Sequence, residues 1–433
     1  MSVMKEADFP KVLIISHNLY DISNNIGKTL VSLFEGWPKE KLSQIYFRND
    51  EPSFNYCNEY FCITDKEVLK SAVSLRYNRA GAVLKTGVSL SVTQTEVNLY
   101  QVGNHRRPAV SFIRDTMWAL GGWKSDTLKK WVTNVVKPDV ILFVPNDYTL
   151  AYRVALYIED IVNKTLIPFY MDDPFYFGCK SSFVDQLRRK SIRRFAKRVH
   201  SHSNQIFTIC DYMSQEYHEE FGLDCYAFVN SVHIDADTGE YSTSRNSLIF
   251  SYLGNLHSNR WKSLLEIGLV LEEIKVSTGV KAELRIYSGS FLENSIRKLF
   301  DSTSTIKFMG RIDAKDVRKK QLESDVLVHV EAFDLMSTNS TRLSLSTKIP
   351  EYFSVKRAIL AYGPKNIASM RYLNDYELAE VCFDKEELKD GVASLMNRCN
   401  RELLAKKAYE RAVSYHNIKN ISNDFQERII ECR

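Results

Sequence analysis

Short apolar runs, rich in β-branched and aromatic residues, recur along the chain between longer stretches of helical periodicity. Six lie in the first half, at residues 12–16, 44–47, 61–64, 140–144, 166–171 and 205–209. Six lie in the second half, at residues 248–253, 283–288, 306–309, 326–330, 358–362 and 380–383. Continuous apolar strands that alternate with helices are typical of parallel sheets covered by helices on both faces. The pattern therefore predicts an α/β chain with two doubly wound, Rossmann-like domains.

A polar segment, residues 233–246, separates the two sets of runs. It has the composition of a loop and precedes a fresh strand. We therefore predict an amino-terminal domain of residues 1–235 and a carboxy-terminal domain of residues 236–433, the second ending in helices. Ligands of open α/β sheets bind beyond the carboxyl ends of the strands. We accordingly expect the two domains to face each other across a cleft.

The overall composition is that of an ordinary globular protein. Hydrophobic residues make up 44% and charged residues 26% of the 433, which excludes a disordered or fibrous chain. No run approaches the roughly 18–20 apolar residues that a membrane span needs. The first residues carry acids and reach a strand too early for a signal peptide. Eight cysteines without a CxxC pair suit reduced thiols, so we expect a soluble cytoplasmic protein.

Several familiar cofactor and metal motifs are missing from the sequence. The GKT at residues 27–29 lacks the first glycine of a phosphate-binding P-loop, and no GxGxxG follows a strand. A DxD pair, Asp235 and Asp237, lies in the polar segment and not at the end of a buried strand. No HExxH occurs. We therefore predict no nicotinamide or flavin cofactor and no obligatory metal ion.

The strongest chemical signal is the segment around residue 350. Ser346, Thr347 and Lys348 directly precede Pro350 and Glu351. Proline favours the first position of a helix, which predicts a helix start near residue 350. Backbone N–H groups, hydroxyls and a lysine would then converge at a helix N-terminus, an arrangement that binds phosphate. Alternatively, Glu351 merely complements the helix dipole.

A second signal opens the carboxy-terminal domain, where a strand is followed by Gly254, Asn255 and then a helix with Arg260 and Lys262. The glycine allows close backbone approach, and either base could reach a diphosphate. Taken alone, this segment is equally well interpreted as a solvated loop with surface bases. The two signals belong to one predicted sheet, so together they could hold one nucleotide diphosphate.

At this point the chain resembles a family. Gly254, Asn255 and Arg260, followed by MGRI (309–312), DVLVHVE (325–331) and STKIPEY (346–352), resemble the donor domain of GT-B glycosyltransferases. The sequence is similar, more narrowly, to the retaining family four and its relatives in bacterial capsule and surface-polysaccharide synthesis. Weaker likeness continues at residues 24–27, 165–175 and 209–222. The resemblance thus touches nearly the whole chain, most strongly after residue 248.

The resemblance implies a nucleotide-sugar donor, a UDP-sugar more than a GDP-sugar, in the carboxy-terminal domain. It implies a glycan or lipid-linked glycan acceptor in the amino-terminal domain, and retention of stereochemistry. By the same resemblance, Glu351 holds the donor ribose, Arg260 and Lys348 neutralise the diphosphate, and Arg311 and Ile312 lie where the base is read.

The sequence also departs from the family pattern. Leu343 replaces the first glutamate of the paired-glutamate motif, and Asn255 replaces the usual arginine. Glu331 is acidic but lies far upstream, so it has no assigned role.

The amino-terminal domain offers weaker candidates. Asp172 and Asp173 end an apolar strand, where the family often places a histidine or aspartate facing the cleft, so both are catalytic candidates. Their alternative role is to cap the next helix or turn. His17 ends the first strand and Gly27 lies in the predicted loop after it, which makes both candidates for the acceptor side.

The net charge of +5 is mild, but one segment, residues 105–131, is basic and tryptophan-rich. It holds Arg106, Arg107, Arg114, Lys124, Lys129 and Lys130 with Trp118, Trp123 and Trp131. Such segments can lie on anionic membranes. The interpretation that we favour is that the tryptophans are core residues and the bases are a solvated face. A nucleic-acid-binding protein shows a denser basic stripe, so we predict no nucleic-acid partner.

The sequence therefore predicts a cytoplasmic glycosyltransferase, peripheral on the inner face of the plasma membrane. Two alternatives remain open at this point. One is a nucleotide-sugar epimerase of the same architecture, and the other is a non-enzymatic basic scaffold that binds membrane or RNA.

Overall fold

The computed structural model describes residues 9–73, 80–84, 108–120, 122–175, 183–234 and 247–433. The chain divides into two compact units. The first unit comprises Met1–Val229 with Ile421–Arg433, and the second comprises Asn230–Asn420.

The first unit is built on an eight-stranded sheet of order β4-β3-β2-β1-β5-β6-β7-β8. Its strands are β1 (Val12–Ile15), β2 (Leu42–Tyr46), β3 (Glu59–Cys62), β4 (Ala82–Leu84), β5 (Val140–Phe143), β6 (Thr165–Tyr170), β7 (Gln205–Thr208) and β8 (Asp224–Ala227). The pairings are parallel except that between β3 and β4. The strands β1, β2 and β5 are fully buried, which places the core on both faces of the sheet centre.

Helices cover this sheet. They are α1 (Asn25–Leu33), α2 (Asp65–Val73), α3 (Pro108–Leu120), α4 (Asp126–Lys130), α5 (Thr149–Val162), α6 (Phe183–His200) and α7 (Asp211–Phe221), with a 3-10 turn (Lys39–Lys41) and a π-helical turn (Trp131–Val136). Side-chain caps fix the starts of several of these helices. Asn24 accepts a hydrogen bond from the Gly27 N–H at the start of α1, and Ser125 accepts from the Leu128 N–H at the start of α4.

The second unit carries a parallel six-stranded sheet of order β11-β10-β9-β12-β13-β14. Its strands are β9 (Leu248–Leu253), β10 (Ala282–Tyr287), β11 (Ile306–Gly310), β12 (Val326–Val330), β13 (Ala358–Tyr362) and β14 (Glu380–Cys382). Its helices are α8 (Arg260–Thr278), α9 (Asn294–Ser302), α10 (Ala314–Leu322), α11 (Leu335–Thr341), α12 (Lys348–Ser354), α13 (Ala368–Asp375), α14 (Lys385–Met396) and α15 (Arg398–Tyr415); α16 (Ile418–Glu431) begins here and continues into the first unit.

The prediction of two doubly wound α/β domains is confirmed, since each of the twelve predicted strands is present. The structure adds two strands, β4 and β8, at the edges of the first sheet. Both escaped prediction because these two strands bury few of their side chains fully. The strand β4 has three residues and pairs antiparallel to β3, and β8 begins with the exposed Asp224.

The units differ from the predicted division at residue 235, because the last part of the chain returns to the first unit. Phe425 on α16 packs against the rings of Phe34, Phe169, Phe207 and Phe228, with ring centres 5.1–6.1 Å from its own. The Gln426 side chain donates hydrogen bonds to two carbonyl oxygens at the end of α1. An aromatic cluster assembled from five distant parts of the chain leaves no local signal in the sequence.

Strand order places the candidate sites. Each sheet changes winding direction once, between β1 and β5 in the first unit and between β9 and β12 in the second. Open α/β sheets bind ligands at the carboxyl ends of the strands that flank such a switch point. The loops after these four strands are therefore the places to examine. None of the helices in the described part of the chain is long and apolar enough to cross a membrane.

Candidate functional site

The loops after β9 and β12 are tied together at the switch point of the second sheet. Arg260 Nη2 donates to Glu331 Oε2 at 2.9 Å, and its Nε lies 3.3 Å from the same oxygen. Ser263 Oγ donates to the Glu331 carbonyl oxygen at 2.8 Å. Asn259 Nδ2 donates to Asp334 Oδ2 at 2.9 Å. The start of α8 is thus held against the end of β12.

Glu331 orients the guanidinium of Arg260, and the pair is largely buried, with side-chain exposures of 5% and 19%. Burial lowers the pKa of Arg260, but the charges of Glu331 and Tyr252 and the hydrogen bond to Glu331 together outweigh it, so the net shift is upward. Asn255 Oδ1 accepts from Arg260 Nη1 at 3.2 Å. Sequence reasoning missed Glu331 as a site residue, although its position at the end of β12 was a usable signal. The structure gives it a positioning role.

Lys348 reaches the same place from the start of α12. Its Nζ lies 3.5 Å from Tyr252 Oη and 4.6 Å from the centre of the Tyr252 ring. Burial of the ammonium group, together with the charge of Arg260, lowers the pKa of Lys348 to about 8. A Cβ atom on Gly254 would overlap Lys348 Nζ and come within 2.7 Å of Lys348 Cε. The space left by the glycine is therefore occupied by the lysine.

A histidine lies beneath this cluster. His329 is buried on β12, and its Nε2 is 3.6 Å from Glu331 Oε1. That nitrogen has no hydrogen-bond partner among the described residues. Burial lowers the pKa of His329 to about 4, so the imidazole is neutral at physiological pH. The sequence analysis did not single out this residue.

The loop after β9 holds two consecutive non-glycine residues in the left-handed region, Ser258 (φ 56°) and Asn259 (φ 59°). This conformation costs free energy for residues with a Cβ atom, and it persists where neighbouring contacts enforce it. Asp334 supplies such a contact to Asn259 and also accepts from the Ser337 N–H at the start of α11. Burial raises the pKa of Asp334, but these hydrogen bonds outweigh it and hold the pKa below its usual value.

The helix start predicted near residue 350 is wrong by two positions, since α12 runs from Lys348 to Ser354. Pro350 is its third residue and Glu351 its fourth. Proline is tolerated anywhere in the first turn because those N–H groups have no intrahelical acceptor. Thr347 makes no side-chain capping bond, and the Ser346 N–H donates to Ser369 Oγ at 3.0 Å. The predicted cluster of free donors is therefore smaller than expected.

The remaining predicted residues of the second unit lie along the same edge of the sheet. Arg311 and Ile312 follow β11, the outer strand, two strands away from β9. The Arg311 side chain runs beside Gly289, whose Cβ would be 3.4 Å from Arg311 Cγ and Cδ. The Leu256 N–H donates to Ser290 Oγ at 3.0 Å, which joins the loops after β9 and β10.

In the first unit, Gly27 is the third residue of helix α1 and not part of a loop, which corrects the prediction. A Cβ atom there would overlap the Asp21 carbonyl oxygen and lie 2.9 Å from the Leu19 carbonyl oxygen. Because α1 packs directly on the loop at residues 19–21, the position requires glycine for packing.

His17 follows β1 at the switch point of the first sheet. Its ring centre is 5.6 Å from that of Tyr148, which follows β5, the other strand at the switch point. His17 Nδ1 has no hydrogen-bond partner in the described part of the chain. Burial lowers the pKa of His17 to about 3, which keeps the ring neutral.

Two arginines flank Tyr148, a feature that the sequence analysis missed. The guanidinium carbons of Arg114 and Arg188 lie 4.4 Å and 5.3 Å from its ring centre. Arg114 pairs with Asp65 at 2.9 Å, and Arg188 pairs with Asp115 at 3.1 Å. The position of Tyr148 just after the apolar run at 140–144 was the available signal.

The two candidate aspartates after β6 have different surroundings. Asp173 is buried, and its Oδ1 accepts from the Phe175 N–H at 2.9 Å and from Tyr217 Oη at 3.2 Å. These contacts are those of the structural alternative, in which the side chain fixes a turn. Asp172 is exposed. Both follow β6, which lies one strand beyond the switch point.

Trp118, Trp123 and Trp131 are core residues, each 3% exposed or less. Their indole N–H groups donate to Asp65 Oδ1, the Trp118 carbonyl oxygen and Glu59 Oε2 respectively. The tryptophans of the 105–131 segment are therefore buried and cannot contact a membrane. Only the basic residues of the segment still support membrane contact. Arg106 and Arg107 lie outside the described residues.

The DxD pair, Asp235 and Asp237, also lies outside the described residues. Within the described ranges, Glu159, Asp160 and His202 could together hold a metal ion. These acids end α5, at the edge of the sheet opposite to the switch-point loops, and two of the three residues are exposed. The cluster is therefore not part of either candidate site.

No protein-family model and no curated protein sequence matches the chain. Solved structures match it over nearly its whole length. They include the Escherichia coli trehalose-6-phosphate protein bound with UDP-2-fluoro glucose (TM-score 0.59, 10% identity, 97% of this chain and 99% of that one). WaaG, a glycosyltransferase involved in lipopolysaccharide biosynthesis, is similar at a TM-score of 0.55 and 12% identity, covering 96% of this chain and 99% of its own.

A Listeria monocytogenes candidate UDP-N-acetylglucosamine 2-epimerase is also similar, with a TM-score of 0.53 and 13% identity over 96% of this chain and 94% of that one. At such identities the likeness shows the fold. The chain thus has the fold of the GT-B glycosyltransferases.

Proposed function

We propose that the protein is a glycosyltransferase that binds a nucleotide-sugar in its second unit and transfers the sugar to a glycan acceptor bound by the first. The observation that carries this proposal is the convergence of Arg260 and Lys348 at the switch point of the second sheet. Two cations from different loops lie close enough for the charge of Arg260 to lower the pKa of Lys348. A bound diphosphate would relieve this repulsion.

The chemistry needs this positive charge at one moment above all. When the bond between the anomeric carbon and the phosphate oxygen breaks, the nucleoside diphosphate leaves with the electron pair and gains negative charge. Cations fixed in advance stabilise such developing charge without reorganising. Arg260 is fixed by Glu331, and Lys348 is fixed by its packing against Tyr252 and Gly254. These groups could do the electrostatic work that a divalent ion does in other transferases, so we propose that none is obligatory.

The finer assignments follow from the sequence resemblance and gain support from the similar structures. We propose a UDP-sugar donor, in line with the UDP-2-fluoro glucose bound to the E. coli protein. A lipid-linked glycan acceptor and a role in bacterial surface polysaccharide synthesis agree with the description of WaaG. Retention of stereochemistry, and a location on the inner face of the plasma membrane, are carried by the resemblance alone.

Individual residues have the following proposed roles. Glu351 hydrogen-bonds the ribose, and Arg311 with Ile312 borders the base. On the acceptor side, His17 and Asp172 are the candidates, whereas Asp173 is engaged in its turn and acts through structure. The proximity of His17 to Tyr148 strengthens its candidacy relative to Gly27, whose position is explained by packing.

Calorimetric titration of the protein with UDP and GDP tests the donor site. We expect UDP to bind, and Lys348→Gln to weaken binding about ten- to a hundredfold, the effect of one charge-assisted hydrogen bond of about 1.5–3 kcal/mol. Lys406→Gln, on the surface of α15, is the matched control and should bind like the wild type. Failure of the wild type to bind either nucleotide would overturn the proposal.

An epimerase is the second candidate, and one arrangement favours it. Epimerisation needs carboxylates and a histidine around the sugar, and His329 lies next to Glu331 in the cluster. The similarity to the Listeria protein points the same way. Incubating the protein with UDP-sugars and no acceptor, followed by NMR, separates the two. Slow release of free sugar supports the transferase, and interconversion of two UDP-sugars supports the epimerase.

A further inference from the structure

Helix α6 (Phe183–His200) is densely basic. Its eighteen residues include seven arginines and lysines and one acid, Asp185. The bases are Arg188, Arg189, Lys190, Arg193, Arg194, Lys197 and Arg198. This density exceeds that of the 105–131 segment, for which membrane contact was the less favoured of the two interpretations.

Six exposed residues of α6 form one stripe, which the exposed Gln186 and Ser191 border on either side. At about 100° per residue, Phe183, Leu187, Lys190, Arg194, Lys197 and Arg198 fall within an arc of about 100°, and all six are exposed. The opposite face is buried and carries Arg188, Ile192, Ala196 and Val199. The stripe begins with two apolar side chains, Phe183 (73% exposed) and Leu187 (40% exposed), and continues with four cations.

Three cations of the stripe lack an acidic partner in the described part of the chain. Lys190, Arg194 and Lys197 have no carboxylate within 4.0 Å among the residues that the structure describes. Two other bases of the helix differ, since Arg188 on the buried face pairs with Asp115 and Arg193 on the flank pairs with Glu220. The charge of the stripe is therefore presented to the surroundings.

The apolar end of the stripe lies at the ligand edge of the first sheet. Because α6 connects the parallel neighbours β6 and β7, it runs antiparallel to them and begins at the carboxyl ends of the strands. His17 and Tyr148 follow β1 and β5 at the same edge.

We propose that the stripe of α6 docks on a bilayer of anionic phospholipids, with Phe183 and Leu187 entering the interface and the cations meeting the headgroups. Exposed apolar side chains in line with clustered bases are the features that interfacial helices use. The phosphate contacts that dominate nucleic-acid affinity need the cations but not the exposed apolar pair, which a bilayer would bury. The inference rests on the proposed function only in that a lipid-linked acceptor would be met at this edge.

Vesicle co-sedimentation tests the contribution of the cations of the stripe to membrane binding. The wild type should bind vesicles that contain phosphatidylglycerol, bind pure phosphatidylcholine weakly, and lose binding as salt rises. Because each base near an anionic surface contributes about fivefold, the variant K190Q/R194Q/K197Q should bind roughly a hundredfold more weakly at low salt. The variant K298Q/K315Q/K319Q, with the same charge change on exposed residues of the second unit, should bind like the wild type.

A second variant tests the contribution of the two apolar side chains to membrane binding. Phe183→Ser with Leu187→Ser should weaken binding by about tenfold or more even at high salt, since burying an apolar side chain is insensitive to ionic strength. Both residues are exposed, so the thermal unfolding temperature should stay that of the wild type.

Four results would overturn the proposal: equal binding to both vesicle types, no binding by the wild type, wild-type binding by either stripe variant, or binding to single-stranded RNA in place of vesicles. Donor hydrolysis in vesicle-free solution should be the same in wild type and stripe variants. If the wild type binds vesicles but shows no donor hydrolysis, the result counts against the proposed function alone.

Discussion

At the scale of single residues, Gly254 and Lys348 form a matched pair. The glycine predicts close backbone approach by a ligand, but in the structure its open side is filled by the lysine ammonium. Asn255 stands where the family that the sequence resembles has an arginine, and the cation is supplied instead by Lys348 at the start of α12. A contact between residues 254 and 348 depends on how two loops fold over one sheet edge, so the sequence revealed both residues but not their contact.

Gly254→Ala should act through Lys348. The added methyl group must displace Lys348 Nζ, so UDP affinity should fall by about ten- to a hundredfold, as in Lys348→Gln. Because both changes remove one interaction, the double variant should bind little worse than either single variant. A calorimetric double-mutant cycle measures this, and additive losses would show that Gly254 serves the ligand directly.

The pKa of Lys348, about 8, predicts a pH dependence of binding. Lysine is charged below its pKa, and a bound diphosphate raises that pKa by favouring the charged form. UDP affinity should therefore be nearly constant below about pH 7 and fall by up to tenfold per pH unit above about pH 8. Calorimetry at about pH 9 in buffers of different ionisation enthalpy should show uptake of nearly one proton. Lys348→Gln should abolish this uptake.

Glu351 offers a test that uses the ligand as its own control. If its carboxylate binds the two ribose hydroxyls, Glu351→Ala should weaken UDP binding by about ten- to a hundredfold, and Glu351→Gln should weaken it less. The 2′,3′-dideoxy nucleotide lacks those hydroxyls, so its affinity should hardly change. Equal losses for both nucleotides would leave Glu351 with the helix-dipole role.

At the scale of elements, the strand pattern was predictable and the loop anchors were not. Buried strands announce themselves as apolar runs, and each of the twelve was found. The edge strands β4 and β8 of the first sheet and the start of α12 escaped, because these two strands bury little and proline fits several positions of a first turn. Asp334 caps α11 locally through the Ser337 N–H, but its contact with Asn259, which restrains the loop before α8, is set by tertiary structure and has no signal in the sequence.

Asp334→Ala should loosen the loop before α8. Removing the α11 cap costs about 0.5–2 kcal/mol of unfolding free energy. Release of Asn259 should also weaken UDP binding, since Arg260 follows directly after the left-handed pair. Asp334→Asn keeps a capping oxygen and should restore most of the stability. Chemical denaturation measures the unfolding free energy of both variants, and UDP titration measures their affinity. Unchanged UDP binding by the alanine variant would show that the loop keeps its conformation without Asp334.

At the scale of the whole molecule, the two-domain class could be inferred from alternation of strands and helices alone. The assignment of the last helix, α16, to the first unit could not be inferred in this way. Phe425 joins an aromatic cluster whose other members are contributed by the residue after α1, by β6 and β7, and by the segment after β8, and such convergence has no counterpart in local sequence.

Phe425→Ala should destabilise the first unit by about 3–5 kcal/mol, the usual cost of removing a buried aromatic ring. Trp37, Trp118, Trp123 and Trp131 belong to this unit, so tryptophan fluorescence during denaturation reports mainly on it. Phe291→Ala, at a phenylalanine that is 90% exposed, is the control and should leave the transition unchanged. A wild-type transition for Phe425→Ala would contradict the assignment of α16.

The entry and exit of the second unit lie side by side. The Val232 N–H donates to the His416 carbonyl oxygen at 2.9 Å, and the Ile418 N–H donates to the Val232 carbonyl oxygen at 3.2 Å. His416 Nδ1 also lies 2.7 Å from the Asn230 carbonyl oxygen. The second unit is thus an insertion into the chain of the first unit, and its two ends are hydrogen-bonded to each other. Replacing the second unit with the corresponding unit of a similar protein therefore requires only two chain junctions, which lie close together. The chain path of the first unit would be unchanged.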